Sequence, residues 1–332
     1  MPRVSAFSLL KELDEVVFTY VEFMERAGFH ELVMLFDGPM SPGVRDFFEV
    51  RRHGPTQIVT QELDESFFRD ALGTGYDFSR KYAYAIMHAH ALCTGDWLWV
   101  ADPDEFPEDP QAMFAALDRA PPETEALIVP PAEAVWGPDE GEAKPFTTCT
   151  FRLAKPRGHL GWRLLRRIIY GRWHIFFDRN IVSHTAGKYF VRKTAVFDRL
   201  GAHRPYRDQT PIGSPLADLL EDGRVLHVRH YDAISYERWL AKMRLKASLI
   251  IDTENKRSRR AHFKLVRDLV ARMENAPDEA TARRIGERAF LKLYHVGRFQ
   301  MLLLRLIGGV TRLDPALEPN ARGYGGARDA CA

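Results

Sequence analysis

The sequence predicts an α/β fold, with a mostly parallel, Rossmann-like central sheet flanked by helices and a helical C-terminal extension. Three observations carry that prediction. Short apolar runs alternate with helix-period segments through the first 130 residues, the pattern of strands joined by crossover helices. Two of those runs, ELVMLF and WLWVA, stop at an aspartate, which puts acids at the rim of the sheet. From 235 to about 309 apolar residues recur at helical spacing, with Arg and Lys on the outer faces.

Taken in order, RVSAFS (3–8) reads as the first strand, and 10–27 as a helix with Leu13, Val16, Val17, Tyr20 and Met24 on one side. Gly28 stops that helix. ELVMLF (31–36) is a buried strand ending at Asp37-Gly38, and TQIVT (56–60) is the third. A helix over 79–93, a strand over 97–101, a helix over 110–118 and the strand EALIV (125–129) follow. Residues 130–145 are a Pro/Gly-rich acidic loop. From 148 to 230 the chain shows short aromatic strands such as RWHIFF, GKYFVR and RVLHVRHY. The expected organisation is one α/β domain over 1–234, a helical extension over 235–313 and a loose tail over 314–332.

Bulk properties narrow the function. Of 332 residues 45% are hydrophobic, enough for a core of ordinary size. The net charge of +2 is too small to make nucleic acid a main partner. Charge is unevenly placed: 95–143 is acid-rich, while 151–179 and 256–305 are rich in Arg and Lys. Cys93, Cys149 and Cys331 lie far apart with no CxxC spacing, which suggests neither a disulfide scaffold nor a zinc site. The N-terminus lacks the n- and h-regions of a signal peptide. No apolar run reaches about 18 residues, so no membrane span is expected. FQMLLLRLIGGV (299–310), the longest candidate, carries Arg305. The expected location is the cytoplasm, extending to the inner face of a membrane if the basic segments touch lipid.

GDWLWVADPDEF (95–106) concentrates the chemistry. Three acids, Asp102, Asp104 and Glu105, crowd the end of a buried strand. Either the cluster is a solvated turn, helped by Pro103 and Pro107, or something positive sits among the carboxylates. Residues i and i+2 of an extended chain point to one side, so Asp102 and Asp104 can share one metal ion. Oxygen-only ligands favour Mg²⁺ or Mn²⁺. Such an ion clamps a diphosphate and neutralises charge growing on a leaving group.

This segment resembles the DxD strand of nucleotide-sugar glycosyltransferases with the GT-A fold, and more narrowly a family-2-like group with a dWl…vDxDEF signature. The opening through LFDG is similar to that group's first strand, helix ending in GF and strand ending in Asp. HTAGKYFVR (184–192) and HVRHYDAISYERWLAKMR (227–244) resemble its later segments. The resemblance implies metal-dependent, inverting transfer of a sugar from a nucleotide-sugar donor to a glycan or other hydroxyl acceptor, in surface polysaccharide or glycan synthesis. It implies Asp37 at the nucleoside base, Asp102 at the ribose or metal, Asp104 as principal metal ligand and His230, or His227, as a late ligand. The family's second Asp-Gly turn is replaced by DGPMSPGVRD, which leaves the nucleotide's identity open.

Inversion needs a carboxylate base on the acceptor side. The candidates are Glu105, Asp139, Glu140 and Asp208. His184 and Lys188 are candidates for the donor's phosphate oxygens, with Gly187 allowing close backbone approach, and Arg80 for the sugar diphosphate. The basic aromatic segment 158–177 and the helices from 256 to 309 are amphipathic enough to lie on a membrane. They serve equally as a helical cap against the sheet or a second subunit in a homodimer. Two rivals stand: a haloacid-dehalogenase-like Mg²⁺ phosphatase, which also ends a strand in DxD, and a non-catalytic nucleotide-binding relative.

Overall fold

The first strand in the computed structural model, β1 (Val4–Leu10), is buried along its whole length, and reaches two residues beyond the run read as strand. Leu9 and Leu10 are therefore core strand residues, and the helix expected from residue 10 begins only at Asp14, as α1 (Asp14–Arg26). Leu13, expected on its apolar side, is the exposed N-cap. Gly28, at φ +82°, ends the helix as expected. There follow β2 (Glu31–Asp37), α2 (Pro42–Arg51), β3 (Gln57–Leu63), α3 (Glu65–Leu72), α4 (Phe78–Leu92), β4 (Trp97–Val100), β5 (Glu105–Pro107), α5 (Pro110–Asp118) and β6 (Ala126–Val129). The sequence reading missed α2 and α3, which bury few apolar side chains. Their caps carry the signal: the Ser41 hydroxyl accepts from Val44 N–H ahead of Pro42, and the Asp64 carboxylate accepts from Phe67 N–H.

The later chain runs β7 (Pro131–Ala134), β8 (Thr150–Leu153), α6 (Leu160–Tyr170), β9 (Lys188–Arg192), β10 (Arg199–Leu200), β11 (Pro205–Arg207), β12 (Thr210–Pro211), β13 (Ser214–Pro215), β14 (Val228–His230), α7 (Tyr236–Ser248), α8 (Arg257–Glu274), α9 (Glu279–Tyr294), α10 (Arg298–Leu306) and β15 (Val310–Arg312). Two expectations are corrected. The acidic loop opens with the buried strand β7, and RWHIFF lies in a 3₁₀ turn over Gly171–Phe176 rather than a strand. Gly171, at φ +54°, turns the chain out of α6, so that Phe177 stacks back on Tyr170 at 3.7 Å. The structure describes all residues except 75, 139, 141–145, 147, 157, 233, 249–256, 314–318 and 320–332; the tail read as loose lies almost wholly outside the described residues.

The described chain packs as two units: residues 1–131 with 186–229, and 132–185 with 230–313. The first holds a seven-stranded sheet in the order β13-β6-β9-β4-β1-β2-β3. Strands β4, β1, β2 and β3 are mutually parallel, and β9 alone runs antiparallel, between β4 and β6. The sheet is thus mostly parallel, as expected. One face packs Phe7, Val33, Leu35 and Val100 against Tyr82, Ala85, Ile86 and Ala89 of α4.

The second unit pairs β15 with β8 and β8 with β7, both antiparallel. Helices α6 to α10 close around Trp136, Trp162, Trp239, Phe290 and Tyr294. Its polar centre is a fully buried ion pair, Arg152–Glu133 at 3.0 Å. Glu133 also accepts the N–H groups of Val182 and Ser183, and Arg152 donates to Leu293 O at 2.6 Å.

Candidate active site

Strand order sets the place for a ligand. β1, β2 and β3 lie in sequence on one side, and β4 then returns to the other flank of β1. The order in which parallel strands are added therefore reverses between β1 and β4, and ligands of open α/β sheets bind beyond the carboxyl ends of the strands at such a point. Asp102 stands there: pairing with β1 persists through Val100↔Phe7, Ala101 N still donates to Phe7 O at 3.3 Å, and the acids begin at the next residue.

The acid turn is closed upon itself. Glu105 N–H donates to Asp102 O at 3.0 Å, and Glu105 Oε2 accepts Asp102 N–H at 2.8 Å. Asp104 and Glu105 are buried, whereas the Asp102 side chain is 36% exposed. Ligand oxygens of all three lie within 4.8 Å of one another, so the cluster can hold a metal ion. An all-carboxylate donor set fits a hard divalent cation.

A positive group does sit among the carboxylates, and it is Lys188. Because β9 runs antiparallel to β4 with Val100 opposite Tyr189, the first residue of β9 falls at the carboxyl end of β4. Its fully buried ammonium reaches Asp102 Oδ2 at 2.7 Å and Glu105 Oε2 at 2.9 Å. Burial alone would lower the lysine's pKa, but Asp102 and Glu105 outweigh it and raise it. Burial would likewise raise Asp102; Lys188 overcomes this and the repulsion of Asp104, holding Asp102 at about 2. Gly187 makes the approach possible. At φ +74° it lies so close to the neighbouring strand that a Cβ would stand 2.0 Å from Val129 O.

Two tyrosines, missed in the sequence, complete the surroundings. Tyr82 of α4 donates to Asp102 Oδ1 at 2.5 Å. Burial first, then Asp102, raise its pKa well above the ordinary value. The fully buried Tyr20 hydroxyl has no hydrogen-bond partner among the described residues, and its pKa is raised by burial, Glu105 and Asp102. Tyr20 reads as a core aromatic in the sequence, because apolar spacing hides a hydroxyl at the ring's end.

Asp37 ends β2, one strand beyond β1, and Lys81 Nζ meets its Oδ1 at 2.5 Å. Lys81 also lies 3.7 Å from Glu65 and 4.5 Å above the Phe68 ring. Arg80, the basic residue singled out in the sequence, is exposed in the first turn of α4, and only its backbone N–H is fixed, by Asp77. Lys81 is the cation turned towards an expected site acid.

Other candidates have surroundings of their own. Asp208 and Gln209, at φ +48° and +59°, form the exposed two-residue turn between β11 and β12. Asp208 N–H donates to Asp198. Glu105 is committed to Lys188 and the Asp102 N–H, a poor state for a base. In the second unit, Glu140 binds Gly137 N–H, Thr148 and Thr150 at 2.8–3.0 Å. Asp139 lies outside the described residues. His184 is exposed. His230 is nearly buried, with Nδ1 3.0 Å from Ser183 Oγ and Nε2 3.9 Å from Asp232 Oδ1. Asp232 takes Lys242 at 3.2 Å and the Tyr294 hydroxyl at 2.5 Å. Burial would raise its pKa, but Lys242, Lys246 and His230 lower it far below the carboxylate range.

No protein-family model and no curated protein matches the chain. Among solved structures it is similar to a mannosyltransferase from Pyrobaculum calidifontis in complex with GDP-Man and Mn²⁺, at 14% identity and TM-score 0.37, over 92% of this chain and 84% of that one. It is also similar to glucosyl-3-phosphoglycerate synthase from Mycobacterium tuberculosis in complex with Mn²⁺ and UDP-glucose, at 12% identity and TM-score 0.27, over 58% and 56%. Mannosyl-3-phosphoglycerate synthase from Rubrobacter xylanophilus matches at 14% and 0.27, over 58% and 54%. The chain spans little more than half the length of the two synthases. Scores this low carry no weight for function, which must be read from the chain's own residues.

Proposed function

We propose that the chain is a GT-A-type, metal-dependent glycosyltransferase that moves a sugar from a nucleotide-sugar donor to a hydroxyl acceptor with inversion. The observation that carries the reading is the acid cluster at the point where strand order reverses, with three carboxylates near enough to share one ion. Asp102 and Asp104 hold the ion, which when bound neutralises charge on the diphosphate leaving group. Asp37, steered by Lys81, faces the nucleoside end of the donor. In place of the phosphate contact expected for it, Lys188 holds Asp102 and Glu105 in position and lowers the pKa of Asp102. Glu105 is accordingly a positioning residue. Asp208 is not assigned as the base, because its neighbour Arg207 pairs with Glu125 at the start of β6, whereas Lys188 pairs with Val129 at that strand's other end.

The deciding experiment is a panel of nucleotide-sugars offered to the purified protein with and without Mn²⁺. Metal-dependent release of nucleoside diphosphate, lost in Asp104→Asn with unchanged melting, is the expected result. Undiminished turnover in that variant refutes the assignment. Hydrolysis of a simple phosphate ester with Mg²⁺, and no turnover of any nucleotide-sugar, would establish the phosphatase instead.

A further inference from the structure

In the second unit, α6 and α10 pack side by side and antiparallel. A Cβ on Gly161 would meet Ile307 at 3.1 Å, near the start of one helix and the end of the other, and Gln300 donates to Ile169 O at 2.5 Å at the opposite ends. Both helices bury their inner faces in one core, through Trp162, Ile169, Tyr170, Met301 and Leu304. Their outer faces therefore look away from that core together. Those faces are apolar: Leu160, Leu164 and Ile168 recur every four residues on α6, and Phe299, Leu302 and Leu306 line α10. All six are between 56% and 72% exposed. A soluble surface scatters such side chains; two aligned stripes are an interaction site.

The charge around the stripes says what they meet. Neither 157–177 nor 288–313 contains a single Asp or Glu. Arg167, Arg172, Arg298 and Arg305 are exposed on these segments. On the adjoining α9, exposed Arg284, Arg288 and Lys292 recur every four residues along a cleft whose acid, Glu287, is paired with Arg283 at 2.6 Å, and which reaches Gly297 and Gln300 on the α10 side. A second copy of this face would set arginine against arginine. A nucleic acid would leave the apolar stripes wet. A bilayer bearing acidic headgroups satisfies both, the leucines entering the acyl boundary and the arginines staying among phosphates. Among the described residues no helix is long and apolar enough to cross a membrane, so the fit is to lie on it.

We propose that the outer face of α6 and α10 docks this protein onto an anionic lipid bilayer, with the cationic cleft of α9 taking a lipid phosphate. The inference is independent of the sugar-transfer reading, since it uses none of the acid-cluster residues. The test is co-sedimentation of the full chain with vesicles of phosphatidylcholine alone, or with about 30% phosphatidylglycerol. Binding to the anionic vesicles is expected, and raising salt from about 0.1 to 1 M, which shortens the screening length from about 10 to 3 Å, should weaken it. Leu164→Glu/Leu302→Glu should cut partitioning by at least about tenfold, and Arg167→Glu/Arg305→Glu by a similar factor, with unchanged circular dichroism and melting in both. These positions point outward, so folding is spared. Absence of binding, equal binding to neutral vesicles, or undiminished binding by both variants overturns the proposal. So does a dimer in ultracentrifugation that Leu164→Glu/Leu302→Glu dissociates, which would make the face a contact between copies.

Discussion

Replacing Lys188 by methionine keeps the length of the side chain and removes only its charge. The ammonium is fully buried, 2.9 Å from a Glu105 carboxylate that is 7% exposed and 2.7 Å from an Asp102 carboxylate that is 36% exposed. Removing one partner of a buried pair costs about 3–5 kcal/mol, because the other charge stays buried alone. The Asp102 leg is partly solvated and adds no more than about 1 kcal/mol. The expected loss at pH 7 is therefore about 3–6 kcal/mol. Its pH dependence has a definite sign. Without the cation the crowded carboxylates titrate above their unfolded values, so the folded variant takes up protons and recovers stability as pH falls towards 5. Urea unfolding followed by tryptophan emission reads this directly, because Trp97 and Trp99 lie in the strand beneath the cluster. A second substitution, Glu105→Gln, should restore part of the loss, a coupling that separates the charge from simple packing. A loss below about 1 kcal/mol, equal at pH 5 and 7, would refute the argument that the lysine compensates the acids.

Gly187→Ala should fail more severely than its size suggests. The new methyl group would stand 2.0 Å from Val129 O on a backbone at φ +74°, and a large drop in melting temperature or loss of soluble protein is the expected outcome. Glu133→Gln leaves Arg152 buried without its counter-charge, at a cost of about 3–5 kcal/mol, measurable as an earlier unfolding transition. Asp102, lowered from 3.8 to about 2, contributes stability that is complete above its unfolded value and lost as pH falls through 2; in Lys188→Met that acid loss should disappear, because the unpaired carboxylates gain stability on protonation. Cys93, whose thiol burial raises to about 11, should resist alkylation at pH 8 until the protein is unfolded, as peptide mass spectrometry can show.

What could be read in advance follows from where each signal is stored. WLWV announces a strand buried on both faces, and the aspartate after it announces the rim, because both are properties of consecutive residues. The sequence shows Lys188 as a cation but not the acids that it pairs with. Its place beside Asp102 depends on β9 entering the sheet antiparallel to β4, a pairing across nearly ninety residues that no local pattern records. Tyr82 and Lys81 were hidden for a related reason: the helix period shows which residues face inward, not what stands at the end of each side chain. The RWHIFF error is one of period. Alternating aromatics resemble a strand until Gly171 takes a left-handed conformation and winds the run into a 3₁₀ turn. Glu133, in a stretch taken for an acidic loop, is wholly buried because Arg152 neutralises it from the neighbouring strand.

The lysine also settles how the cluster can be metal-competent and stable at once. Three carboxylates and one ammonium leave a formal charge of two negatives among these four groups, the charge that one divalent ion balances. Without Lys188 the folded apo protein would carry three crowded negatives, and repulsion would favour either protonation or an open turn. With a second cation beside it only one negative charge would remain, too little to balance a divalent ion. A single buried ammonium lies between those limits. It holds Asp102 and Glu105 in position from behind, through one oxygen of each, while the partly exposed Asp102 faces solvent, where a donor would arrive. On this account Lys188→Met and Asp104→Asn should part company: the first gives an unstable protein that Mn²⁺ stabilises more than it does the parent, the second a stable protein that Mn²⁺ does not stabilise at all. Equal responses to Mn²⁺ in thermal denaturation would show that the ion, if it binds, does so elsewhere.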